Sequence, residues 1–138
     1  MHETEIDKLT ARSAWGNPQE VRFRLTAISR QWAARPHLWR PPTDLLETEQ
    51  AYLVRVEVAG MQEAELNIAI EGREMAVYGL RQQPVEPLNE QAAYYQMEVR
   101  FGEFLSGLQL PGEVNTDGIQ AVYQDGFLTV TLPKVRAS

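Results

Sequence analysis

Ile119-Gln120-Ala121-Val122-Tyr123-Gln124-Asp125-Gly126-Phe127-Leu128-Thr129-Val130-Thr131-Leu132-Pro133-Lys134 is the stretch that decides the fold. Two short apolar runs flank Asp125-Gly126, a dipeptide suited to a tight hairpin turn in which one or both residues take positive φ. Pro133 can end the second run, because proline brings no donor to a β-ladder. The stretch therefore reads as a β-hairpin.

The same period of two continues toward the N-terminus. Tyr52, Val54, Val56 and Val58 alternate with Leu53, Arg55, Glu57 and Ala59, and Leu66, Ile68 and Ile70 alternate with Asn67, Ala69 and Glu71. Met75-Ala76-Val77-Tyr78 is a third run, Phe104–Leu110 a further one, and Tyr95, Met97, Val99 and Phe101 alternate with Gln96, Glu98 and Arg100. Turn signals separate these runs at Ala59-Gly60, Glu71-Gly72, Leu110-Pro111-Gly112 and Asp117-Gly118. Short strands so spaced, with one apolar face each, describe an all-β, antiparallel, immunoglobulin-like sandwich over residues 41–134. No helix-length pattern interrupts them, which excludes βαβ units. Gln82–Gln91, with Pro84 and Pro87, is the longest break in this body.

The first 40 residues read differently. Asn17-Pro18-Gln19-Glu20 offers an N-cap, a proline at the first helical position and an acid at the third. Val21, Leu25, Ile28 and Trp32 then fall on one helical face, and Pro36 ends the pattern. A weaker helix is expected from about Glu5 to Ala14. Residues 1–40 thus form a short, partly helical N-terminal arm. It carries seven bases and four acids, net +3, whereas residues 41–138 carry six and fifteen, net −9. An acidic body argues against nucleic acid as a partner. The basic arm could meet RNA or anionic lipid, but neutralisation against acidic bodies of neighbouring subunits is the favoured reading.

Catalytic chemistry has little to stand on. The 138 residues include no cysteine and two histidines, His2 and His37, so thiolate nucleophiles, cysteine-built metal sites and a histidine-based triad are not expected. Glu47 and Glu49, two apart in an expected strand, share a face, yet nothing nearby would raise a carboxyl pKa. Gly102–Gly107 has the glycine spacing of neither a phosphate loop nor a nucleophile elbow, and Ser106 has no evident base. No catalytic residue, metal ligand or cofactor is expected. No stretch approaches the roughly 20 apolar residues of a membrane span, and Met1–Lys8 is unlike a secretory signal. A cytoplasmic protein is the expectation.

Binding fits better. Trp15, Phe23, Leu25, Ile28, Trp32 and Trp39 are a large apolar load outside the sandwich, and an amphipathic face not needed by its own domain tends to bind something else. These six are the expected client-binding residues. The competing reading is that the arm packs onto its own sandwich or onto a symmetry mate.

The body also resembles a known family. Trp39-Arg40-Pro41-Pro42-Thr43-Asp44-Leu45-Leu46-Glu47-Thr48 is similar to the opening of an α-crystallin domain. Residues 51–61, 66–72, 75–81, 98–104 and 108–111 follow in the family's order and spacing, and Ile119–Lys134 is similar to its closing hairpin. The chain is thus identified as resembling small heat shock proteins. The resemblance implies an ATP-independent holdase that captures partly unfolded proteins and keeps them from aggregating, through binding alone. It implies a homodimer in which the segment after Arg81 reaches the partner's strand near Asp44, Leu45, Leu46 and Glu47. Val85–Leu88 is the expected crossing strand, with Val85 and Leu88 at the interface; the alternative is that this loop folds onto its own subunit. It implies an apolar groove at Ile68, Ile70, Leu108 and Leu110, either exposed or covered by the arm.

Two departures carry expectations of their own. Ser106 stands where the family usually has arginine, so an inter-subunit salt bridge from that position is not expected. Only Val135-Arg136-Ala137-Ser138 follow Lys134, a vestigial C-terminal tail (135–138) without the family's anchor. The assembly is then expected to stay small, or the chain to be a shortened form, or a paralogue to bring the anchor. The rival function is a co-chaperone or adaptor sandwich that binds one folded partner through a sheet edge; an enzyme comes last.

Overall fold

The computed structural model describes residues 19–20, 25–26, 37–62, 65–84 and 91–136. Its elements are β1 (Gln19–Glu20), β2 (Leu25–Thr26), β3 (Thr43–Glu47), β4 (Ala51–Glu57), β5 (Leu66–Glu71), β6 (Glu74–Arg81), β7 (Gly102–Gln109), a 3-10 turn (Thr116–Gly118), β8 (Gln120–Gln124) and β9 (Phe127–Pro133). One sheet runs β1-β8-β9-β4-β3 and the other β2-β5-β6-β7. The strands pair antiparallel except β2 with β5, and the isolated Trp39–Phe104 bridge is also parallel. This is the expected β-sandwich.

Alternation sets which faces meet. Tyr52, Val54 and Val56 of β4 stand opposite Leu132, Val130 and Leu128 of β9, and all six are buried. In the facing sheet, Ile68, Val77 and Phe104 are fully buried. Burying one such side chain contributes about 1.5–3 kcal/mol, so the two inner faces are the main source of stability. The closing hairpin is as expected. Asp125 has φ 52° and Gly126 φ 84°, the double positive φ that matches a two-residue turn to twisted strands. Gly79 answers a different need: a Cβ there would overlap the Glu65 carbonyl and crowd the Phe104 ring, so glycine lets β5 and β6 close over that ring.

Two expectations are corrected. The helix expected after Pro18 is absent at its described residues, where Gln19–Glu20 pairs with Tyr123 and Val122 and Leu25–Thr26 pairs with Ile68 and Ala69. The edges of β8 and β5 offer ladder groups, and backbone pairing there outweighs a local helical preference that is marginal without packing. Trp15, Phe23, Ile28 and Trp32 lie outside the described residues. The second correction concerns Tyr95–Phe101, expected to be a strand. It has no ladder partner among the described residues, and β7 starts only at Gly102.

Candidate partner-binding surfaces

Three of the four sheet edges carry backbone from residues 19–40. β1 lies on β8 and β2 on β5. On β7, the Trp39 amide donates to the Glu103 carbonyl at 3.2 Å and the Leu105 amide donates to the Trp39 carbonyl at 3.0 Å. Arg40 extends this cover by donating from Nη1 to the Gly107 carbonyl at 3.0 Å. β3 pairs with β4 on one side, and among the described residues no strand lies beyond it. Asp44 and Glu47 are exposed, and between them Leu45 is 39% and Leu46 41% exposed. An edge strand with apolar side chains and free ladder groups is a template for another strand. Lys134 holds its end: Nζ lies 2.6 Å from Glu47 Oε2, and the Lys134 amide donates to the Gln50 carbonyl at 2.9 Å. Glu47 is thereby an ion-pair partner; Glu49, its expected companion, is exposed in the following turn.

The second surface is the segment 91–100. Tyr95 is fully exposed (101%), Met97 67% and Val99 65%. The Gln83 amide donates to the Tyr94 hydroxyl, and Arg81 donates to the Arg100 carbonyl where the segment meets β7. Within the segment, Gln96 donates to the Glu98 carboxylate. A strand-like apolar alternation thus lies in solvent with no ladder partner among the described residues.

Several expected site residues belong to the core instead. Trp39 is buried, its ring 5.5 Å from Phe104 and its Nε1 donating to the Gly102 carbonyl at 3.3 Å, so it is not a client surface. Leu25 is placed by its backbone against Ile68. Ile68 and Leu110 are fully buried, while Ile70 and Leu108 are partly buried against the same core. β6 lies between β5 and β7, so Ile68 and Ile70 do not share an open groove with Leu108 and Leu110. The backbone that lies beside β5 is that of the arm. Val85 and Leu88 lie outside the described residues.

Ser106 is fully buried, and its hydroxyl lies 2.6 Å from Thr43 Oγ1. Thr43 commits its own proton to the Pro41 carbonyl at 3.0 Å, so Ser106 is the donor, and the bond joins β7 in one sheet to β3 in the other. Tyr123 closes the far end: its hydroxyl donates to the Val58 carbonyl at 2.7 Å and accepts from the Met61 amide at 3.3 Å. Burial pushes its pKa above the ordinary tyrosine value. Spacing announced neither contact. Among the described residues no group of three or more acidic or histidine side chains could hold a metal, and no helix is long and apolar enough to cross a membrane.

The sandwich, its order of strands and its open β3 edge can now be set beside known proteins. Residues 44–138 match the model of the Hsp20/alpha crystallin family. The chain belongs to that family. Small heat shock protein C2 of Rickettsia felis is 31% identical over 94 residues, 68% of this chain and 60% of the Rickettsia protein's length. Among solved structures, HSP18.5 from E. histolytica superposes with a TM-score of 0.61 at 31% identity, covering 72% of this chain and 92% of that one. Heat shock protein 16.0 from Schizosaccharomyces pombe reaches a TM-score of 0.68 at 27% identity over 76% and 73% of the two chains. The chain spans about 60% of the length of the curated relatives it matches.

Proposed function

We propose that this protein is an ATP-independent holdase and not an enzyme: it binds partly unfolded proteins through apolar surface and keeps them from associating. The reading is carried by apolar surface left in solvent: Tyr95, Met97 and Val99 are exposed, and so are Leu45 and Leu46 on the β3 edge. Apolar surface of that kind holds non-native chains by burial alone and favours the bound state by mass action. Trp15, Phe23, Leu25, Ile28 and Trp32 of the arm are the client-binding set; Trp39 drops out because it is buried. Light scattering of an unrelated heat-labile protein, with and without this one, tests the proposal. The arm is tested by replacing Trp15, Phe23, Ile28 and Trp32 with serine, which leaves the positions paired to β8 and β5 in place. Loss of protection with an unchanged circular dichroism spectrum is expected; full protection would exclude the arm.

The working unit in this reading is a dimer formed by strand addition. Residues 94–100 of one copy pair with Asp44–Glu47 at the β3 edge of the other, replacing Val85–Leu88 as the expected crossing strand. Support comes from complementarity: the segment has the alternation of a strand and no partner, and β3 has an edge and no neighbour among the described residues. Light scattering after size exclusion should give twice the chain mass, and Met97→Asp with Val99→Asp should give the single mass.

A further inference from the structure

Arg81 ends β6 where three stretches of chain come together. Its Nε donates to the Arg100 carbonyl at 2.9 Å, and Nη2 donates to the same oxygen. Nη1 donates to the Ala59 carbonyl at 3.2 Å. The guanidinium lies 4.5 Å from the centroid of the Trp39 ring and 5.4 Å from that of Phe101. Arg100-Phe101 is the point where the exposed segment joins β7, and Trp39 is the point where the arm joins the body. One planar cation therefore fastens the roots of both to a turn of the sandwich.

We infer that Arg81 is a positioning residue for dimerisation: it sets the direction in which residues 94–100 leave the body and so presents them to a second copy. The inference rests on the strand-addition reading above. The chemistry suits the task. A guanidinium offers a rigid fork of donors and a flat face that stacks on aromatic rings, so it can hold a carbonyl in its plane and rings against its face together. Holding the root of a segment lowers the ordering cost when that segment binds. A lysine keeps the charge but replaces the fork by one compact ammonium, so it cannot hold Arg100 and Ala59 while lying over Trp39. The same guanidinium touches Trp39, so the root of the arm and the root of the exchanging segment move together through it.

The test uses the full chain and reads the dimer dissociation constant by dilution, with circular dichroism and the thermal midpoint as controls. Arg81→Ala should stay folded yet weaken the dimer at least about tenfold, and Arg81→Lys should fall between it and the parent. If Arg81→Ala fails to fold, Arg81→Lys alone decides. Arg73→Ala is the control for a purely structural role, because Arg73 also donates to a backbone carbonyl, that of Leu110 at 3.0 Å, on another part of the body. It should lower the thermal midpoint without changing dimer affinity. Met97→Asp with Val99→Asp tests the underlying reading. If that double variant weakens the dimer and both Arg81 variants leave it unchanged, the positioning role is overturned alone. If the double variant leaves the dimer intact, strand addition fails and the role of Arg81 falls with it.

Discussion

Residues 127–133 and residues 95–101 carry nearly the same pattern and meet opposite fates. Leu128, Val130 and Leu132 alternate with polar residues and are fully buried; Tyr95, Met97 and Val99 alternate with polar residues and lie in solvent. The first stretch has β8 on one side and β4 on the other. The second has no ladder neighbour among the described residues. Period-two alternation thus states that a segment can be half of a sheet contact. It does not state which chain supplies the other half.

The largest test of this contrast is a charge placed in each. Val130→Asp puts an unpaired carboxylate into a filled core, and a loss of about 4–5 kcal/mol is expected, enough to abolish cooperative urea unfolding at a marginal stability. Val99→Asp should change the unfolding free energy by less than about 0.5 kcal/mol when protein is dilute enough to be monomeric. A comparable loss from both would mean that residues 95–101 pack into their own subunit. Next comes volume. Phe104→Ala should cost about 3–5 kcal/mol by cavity formation, whereas Tyr95→Ala should leave the urea midpoint of the monomer where it is.

Smaller effects probe single hydrogen bonds in the body. Ser106→Ala removes the donor to Thr43 and leaves Thr43 still bonded to Pro41, so about 1 kcal/mol should be lost in denaturant titrations. Tyr123→Phe removes the bonds to Val58 and Met61 and should also cost about 1 kcal/mol at neutral pH. It carries a second signature. Because burial raises the folded-state pKa, folding disfavours the phenolate, and the associated stability is intact below the unfolded-state value of about 10. It is lost as pH rises from there through the folded-state value. In the phenylalanine variant that component of the alkaline decline should vanish; an unchanged slope would assign the decline to other groups.

How much was legible follows from where each signal resides. The strands with two faces set by their own alternation, and the Asp125-Gly126 turn with its positive φ, were readable because their causes are local. The arm misled: Leu25 fits a helical stripe, yet its backbone lies against Ile68, since the free edge of β5 exists only once the sheet has formed. Trp39 misled for a related reason. Outside the alternating runs it looked like spare apolar surface, but Phe104 and Arg81 enclose it from positions 65 and 42 residues away in sequence. The groove expected at Ile68, Ile70, Leu108 and Leu110 failed on strand order, because β6 intervenes.

By itself, the sequence determined the fold class, the closing hairpin and the inward faces of β4 and β5, because periodicity and turn chemistry are properties of neighbours along the chain. Tertiary structure alone decided which edges are covered, that Ser106 joins the two sheets, that Trp39 is core, and that Arg81 gathers Ala59, Arg100, Phe101 and Trp39 at one point. Those are contacts between residues far apart in the chain. Their energy depends on geometry that arises only when both sheets are in place, so no local pattern could carry it.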